Sequence, residues 1–210
     1  MNQSNIEKLI TFLNQLEIDK IHHAKLINYL NFLLKKNEEL NLISRKLEIS
    51  VIIREHIYDC LAAWKHFTQY KSISDIGTGG GLPGLLLGII FPGKKIQLID
   101  KSKKKILFLE EAVHTLELPN VTVSEGLLDT LDITSEIITC RGFKSVLQII
   151  SMTYPFFINK GKYILYKGKK EKIDEEISVA EKKYKIKYSI QKTAPLIDKE
   201  RHIVQVENRN

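Results

Sequence analysis

The sequence predicts an α/β fold: a Rossmann-like, mainly parallel sheet that ends in an antiparallel hairpin, behind an N-terminal helical cap. Three observations predict it. From Ser72 onward, short β-type runs alternate with apolar stripes of helical period. The first of these runs breaks into a glycine-rich turn, Asp75-Ile76-Gly77-Thr78-Gly79-Gly80-Gly81-Leu82-Pro83-Gly84. The last two runs follow one another with no helix between them, as the strands of a hairpin do.

In the cap, Ile6, Leu9, Ile10, Leu13 and Leu16 keep a helical period, with Ser4 or Asn5 placed as N-cap. Asp19 is placed to cap a second helix carrying Leu26, Ile27, Leu30, Leu33 and Leu34. Glu38 to Lys46 reads as a polar loop from which Leu40 and Leu42 dock on the core, and Ile53, Ile57, Cys60, Leu61 and Trp64 mark a third helix. The expected division is a helical cap over residues 1–70 and a sheet domain over residues 71–210, forming one unit. Strands are predicted at Ser72 to Ile76, Lys95 to Asp100, Val121 to Ser124, Ile137 to Cys140, Lys162 to Tyr166, Lys187 to Lys192 and His202 to Glu207. Pro83 suits the first turn of the helix after the first strand, and Ser102 the cap of the helix after the second. Further helices centre on Val146, Ile149 and Ile150 and on Ile173, Ile177, Ala180 and Tyr184, with a turn at Asn159-Lys160-Gly161. That layout is the one expected of class I S-adenosylmethionine-dependent methyltransferases, though a fold says little about a substrate.

With 210 residues, 43% hydrophobic and 27% charged, the chain has the composition of a soluble globular protein. The start, Met1-Asn2-Gln3-Ser4, does not open a signal peptide. The longest apolar run, Leu82 to Phe91, is too short to span a bilayer and contains Pro83, Gly84 and Gly88. The expectation is a cytoplasmic monomer with no membrane partner. Cys60 and Cys140 offer neither a disulfide framework nor zinc spacing, so no metal is expected. The net charge of +7 favours a polyanionic partner such as nucleic acid.

The glycine turn reads as a cofactor cradle. Gly79, Gly81 and Gly84 fit the dinucleotide spacing, but Gly77 holds the place directly after the strand, and counted from there the sixth position is Leu82. The better register runs from Asp75 through Gly77 and Gly79 to Gly81. An acid at the strand end repels a pyrophosphate and suits a ligand that carries positive charge, such as the sulfonium and amino groups of S-adenosylmethionine. Asp100, at the end of the second strand, is a candidate for the ribose hydroxyls, and would serve adenosine in either cofactor. The bland alternatives are a tight turn that binds nothing and a charge at a helix start.

Arg141, beside Cys140 at the end of a central strand, is a candidate for a cofactor carboxylate or for positioning a substrate base; the alternative is a strand-end salt bridge. Leu128 and Asp129 follow the third strand at the level of an adenine ring. Cys140 lacks the neighbouring proline of cysteine-dependent cytosine methyltransferases and reads as a buried small residue. His56 and Asp59 suggest an acid–base pair, or a hydrogen bond that packs the cap on the sheet. Lys101, Lys103, Lys104 and Lys105 form a charge run, which is usually a solvated face; their opposition to the dipole of the helix they begin slightly raises the case for an RNA phosphate contact.

Asn41-Leu42, His56-x-x-Asp59, the 75–84 turn, Cys140-Arg141-Gly142-Phe143, Lys167-Gly168 and Glu200-Arg201-His202 occur in this order. Together they resemble the bacterial ribosomal RNA small subunit methyltransferase G family, also called glucose-inhibited division protein B, over essentially the whole chain. The resemblance implies methylation of N7 of one guanine in 16S ribosomal RNA, on free RNA or on the small subunit. It implies cofactor contacts at Gly77, Leu82, Leu128, Asp129 and Arg141. Lys167 and Arg201, inside two of the motifs, join the lysine run as candidate RNA contacts. Departures are Cys60 for serine, Ile43 for threonine, Gly142 for alanine and Leu127 for arginine. N7 carries a lone pair and no proton, so no general base is expected. A methyltransferase for a small molecule or protein, and a non-catalytic nucleotide-binding module, are the rival readings.

Overall fold

The computed structural model describes residues 1–44, 47–159 and 161–209. Helix α1 (Gln3–Gln15) buries Leu9 and Leu13, and its cap is Asn2 rather than Ser4 or Asn5: the Asn2 side chain accepts from the Asn5 N–H. Asp19 caps a single 3₁₀ turn, Lys20–His22, which leads into α2 (His23–Leu40). Glu38 to Leu40 are therefore helical, not loop; Asn41 then stops the helix in left-handed backbone, which asparagine tolerates. Arg45 and Lys46 of the predicted loop, and Lys160 of the predicted turn, lie outside the described residues. The third predicted helix is α3 (Ile49–Ile52), a π-helical segment (Ile53–Tyr58) and α4 (Asp59–Leu61) in succession, followed by a 3₁₀ turn, Trp64–Phe67.

The seven strands are β1 (Ser72–Ile76), β2 (Lys95–Asp100), β3 (Val121–Glu125), β4 (Ile137–Arg141), β5 (Lys162–Lys167), β6 (Ile186–Lys192) and β7 (His202–Asn208). Their order in the sheet is β3-β2-β1-β4-β5-β7-β6. The first five are parallel, and β7 runs antiparallel to both β5 and β6. The hairpin is as expected, with its second strand inserted inside. The side chains explain that: β7 buries His202, Ile203, Val204 and Val206, whereas β6 is mostly exposed and suits an edge.

Alternation along each strand divides the core between the two faces. One cluster joins Ile73, Leu98, Ile137, Ile164 and Ile203 to α1, α2, the π segment, α5 (Gly84–Ile90) and α6 (Lys103–Thr115). The other joins Ile76, Ile138, Cys140, Leu165 and Val204 to α7 (Val146–Met152), α8 (Tyr154–Ile158) and α9 (Lys170–Glu181). Helix α8 has no counterpart in the sequence reading; Pro155 lies in its first turn, where proline is tolerated. Pro83 immediately precedes α5 rather than sitting inside its first turn, and Ser102 occupies the cap position of α6 without a side-chain cap bond. The chain fills the sheet outward from β1 in one direction to β3, then returns to β4 and β5. The crevice where that reversal occurs lies at the carboxyl ends of β1 and β4.

Candidate active site

The glycine turn hangs on β2: the N–H groups of Gly77 and Thr78 both donate to the Ile99 carbonyl, at 2.8 and 3.2 Å. From beneath, Asp75 Oδ2 accepts from the Thr78 hydroxyl (2.6 Å) and from the Gly84 N–H (2.8 Å), tying both ends of the turn together. Asp75 is fully buried and does not line the cavity above the turn. It is a brace for the loop, which corrects the expectation of a cofactor-facing acid. Burial pushes its carboxyl up to about 7, against the pull of the bonds from Thr78 and Gly84, and its Oδ1 has no partner.

Gly77 and Gly79 take left-handed φ of +64° and +60°. A Cβ on Gly77 would lie 2.3 Å from the Phe143 ring, so its missing side chain makes room for Phe143. A Cβ on Gly81 would meet Leu85 at 2.3 Å; Gly81 is packed beneath the turn and is not part of the cavity lining. Among the glycines of the turn, Gly79 is the one that opens on the cavity, with nothing nearer to such a Cβ than the Gly77 carbonyl at 3.9 Å and Lys105 Nζ at 4.0 Å. The cavity is about 470 Å³ and is floored by Gly77 to Gly80 and Leu82. Asp100 is buried and not itself part of the lining, but it bonds two residues that are: Oδ2 accepts from the Gly79 N–H (3.0 Å) and from Lys105 Nζ (3.4 Å), and Oδ1 accepts from the Ser102 N–H (3.0 Å). A carboxylate offers about four lone-pair sites, so Asp100 retains capacity for a ligand hydroxyl. Tyr29, from α2, donates to the Gly80 carbonyl at 2.7 Å and locks the helical cap onto the turn; no local pattern pointed to it.

Arg141 also lines the cavity: strand alternation turns it to the opposite face from Cys140, toward the π segment. Its Nε donates to Asp59 Oδ2 (2.9 Å), Nη2 to the Glu55 carbonyl (2.6 Å), and both Nη atoms approach His56 Nδ1 at 3.2 Å. Arg201 donates to the same Asp59 oxygen at 3.3 Å. Burial, then the Arg141 charge, pulls His56 down to about 4, so at neutral pH it is neutral and its Nδ1 can accept. His56 and Asp59 do join the helical cap to the sheet, through Arg141 rather than through one another. Nothing local in the sequence links positions 59, 141 and 201. Lys105 and Lys167 in the lining are each paired with an acid, whereas Arg141 and Arg201 share the single carboxylate of Asp59, and that positive excess suits an anionic ligand group.

The other predicted residues are placed differently. Leu128 is buried in the core cluster that also holds Ile76 and Ile99, and with Asp129 it lines a separate cavity rather than this one. Lys167 donates to Glu176 and to the Lys144 carbonyl, both at 2.7 Å, and Lys105 pairs with Asp100; neither ammonium is free for RNA. Lys101, Lys103 and Lys104 are exposed at the start of α6 and make no ion pair among the described residues. Cys140 is buried, and burial pushes its thiol up to about 12, as it does that of Cys60. The expected results are no alkylation of either thiol by iodoacetamide in the folded protein, and most of the activity kept by Cys140→Ser. A covalent protein–RNA adduct that depends on Cys140 would reverse this reading. No described helix is long and apolar enough to cross a membrane.

The sheet order and the crevice are those of the class I methyltransferase fold. An SAH-bound methyltransferase from Podospora anserina matches with a TM-score of 0.57 over 89% of this chain and 88% of its own, at 12% identity. The family model for rRNA small subunit methyltransferase G matches residues 22–204. Ribosomal RNA small subunit methyltransferase G 1 of Bdellovibrio bacteriovorus is 40% identical over 91% of this chain and 94% of its own length. The methyltransferase G of Brachyspira hyodysenteriae is 38% identical over 91% and 93%. The chain belongs to the rRNA small subunit methyltransferase G family.

Proposed function

We propose that the protein transfers a methyl group from S-adenosylmethionine to N7 of a guanine in bacterial 16S ribosomal RNA. The observation that carries this reading is one cavity lined both by the open turn at Gly79, whose N–H is held by Asp100, and by Arg141 and Arg201. The residues fit the cofactor. Gly79 leaves room where a Cβ would intrude, Asp100 has lone pairs for ribose hydroxyls, and the guanidinium groups suit a carboxylate. When bound, the cofactor supplies an electrophilic methyl group on a sulfonium. The chain's own work is then positioning: Asp75 and Tyr29 hold the turn, and Asp59 holds Arg141 and Arg201 at the cavity wall. N7 gives up no proton, so His56, neutral and accepting from Arg141, serves as a prop rather than a base.

A cytoplasmic monomer acting on free 16S RNA or the small subunit, with residues 1–70 and 71–210 folding as one unit, completes the reading. One hydrophobic cluster running from Leu9 to Ile203 supports the single unit. The test is chemical. A guanine methylated at N7 carries a fixed positive charge, and its strand breaks after borohydride and aniline treatment. RNA from a strain lacking the gene should lose one break site, and the purified protein with S-adenosylmethionine should restore it. An unchanged cleavage pattern, or a methyl group found on cytosine or on protein, would reject the assignment.

A further inference from the structure

Beside the cavity lies a second groove of about 640 Å³, between the β4–α7 connection and the start of α9. The two share Gly142, Tyr166, Lys167 and Gly168 as a common wall. Lys144, Lys169 and Lys172 line this groove, all three are exposed, and none is in an ion pair among the described residues. The groove's single acid among the described residues, Glu176, is already neutralised: it accepts from Lys167 at 2.7 Å and from the Val146 N–H at 3.0 Å. The neighbouring Lys170, outside the lining, is tied to Asp174. The groove therefore presents three uncompensated positive charges, while the lysines of the cavity proper, Lys105 and Lys167, are occupied.

We propose that this groove seats the RNA backbone next to the target base, with Lys144, Lys169 and Lys172 on its phosphates. The inference rests on the methyl-transfer reading and adds to it the path of the substrate strand. Ammonium groups make adaptable, sequence-independent phosphate contacts. A strand held there passes directly over the shared wall, so a neighbouring base reaches the cavity while its backbone stays outside. This also reassigns the phosphate contact from Lys167, whose ammonium is spent on Glu176, to the three free lysines around it.

The test compares two triple variants of equal charge change. One is Lys144→Gln, Lys169→Gln and Lys172→Gln. The other is Lys182→Gln, Lys183→Gln and Lys185→Gln, all exposed beyond the far end of α9, roughly 18 Å along its axis. The probe is a fluorescently labelled single-stranded oligoribonucleotide, read by anisotropy across a salt series. The groove triple should flatten the slope of log K against log salt by about two units, and lower affinity about a hundredfold near ~0.1 M salt. The far-end triple should keep the slope, and calorimetry should show S-adenosylmethionine binding unchanged in both. Equal slopes in the two triples, with methylation of RNA by the unaltered protein intact, would overturn the groove and leave the methyl-transfer reading standing. If the unaltered protein neither binds nor methylates RNA, both fall. Competition by polyglutamate as effective as by RNA would point to an acidic protein partner and overturn the inference.

Discussion

Arg141→Ala should lower the melting temperature by about 6–12 °C and slow methyl transfer by ~10²-fold. The stability part follows from Asp59, which is almost wholly buried and has Arg141 as its nearer partner. Breaking a buried ion pair costs about 3–5 kcal/mol. Arg201 stays within 3.3 Å of Asp59 and holds the cost near the lower end of that range. For a chain of this length each kcal/mol is worth roughly 2–4 °C. The rate part follows from geometry, since misplacing a positioning group by about 1 Å is enough for a hundredfold loss. Arg141→Lys should recover little, because one ammonium cannot serve Asp59, the Glu55 carbonyl and His56 together. A separate readout is the His56 ring. Removing the Arg141 charge deletes the second cause of its lowered pKa, so His56 should titrate at higher pH in the variant. The sign is that of a base depressed by folding. Its contribution to stability is present above the ordinary histidine range and is lost as pH falls toward about 4, and the variant should lose less over that window. Unchanged melting and an unchanged His56 titration would remove Arg141 from the network.

Legibility in the sequence followed the range of the interactions. Each of the seven strands and the closing hairpin rests on local alternation, and each was readable from a handful of neighbours. The insertion of β7 beside β5 depends on which of two adjacent runs is more apolar; Ile203, Val204 and Val206 against Lys187, Ser189 and Gln191 carried that signal, which a hairpin reading alone does not use. The site was legible as a place but not as a division of labour. Asp75 and Asp100 look alike in sequence, each an acid ending a strand. In the fold β1 is central and buries Asp75 under the turn, while Asp100 on β2 reaches Gly79 and Lys105 at the cavity edge. The Asp59–Arg141–Arg201 cluster and the Tyr29 bond to Gly80 join residues 51 to 142 positions apart, and no periodicity reports on such pairs. The lysines show a different limit: the partners of Lys105 and Lys167, Asp100 and Glu176, are only 5 and 9 residues away in the chain, but the turns that bring each pair together do not follow from a charge pattern.

Gly77→Ala is expected to destabilise the fold by about 2–5 kcal/mol, and it separates two demands that meet at one atom. The first is backbone: at φ +64° an alanine pays about 1–2 kcal/mol for its Cβ near the following carbonyl. The second is packing, because that Cβ would sit 2.3 Å from Phe143 Cδ2, an overlap of the kind that costs about 1–3 kcal/mol. Phe143 belongs to the loop that follows Arg141, so its displacement also disturbs the wall shared by the cavity and the neighbouring groove. Cofactor affinity should fall with stability, since the Gly77 N–H that anchors the turn to Ile99 moves with the backbone. Phe143→Leu in the Gly77→Ala background should recover the packing share and leave the backbone share, giving a coupling between the two sites. Melting curves of the four proteins in this cycle measure it. Strict additivity would mean that Phe143 does not feel a side chain at position 77, and an unchanged melting temperature for Gly77→Ala alone would mean that the turn does not need its left-handed glycine.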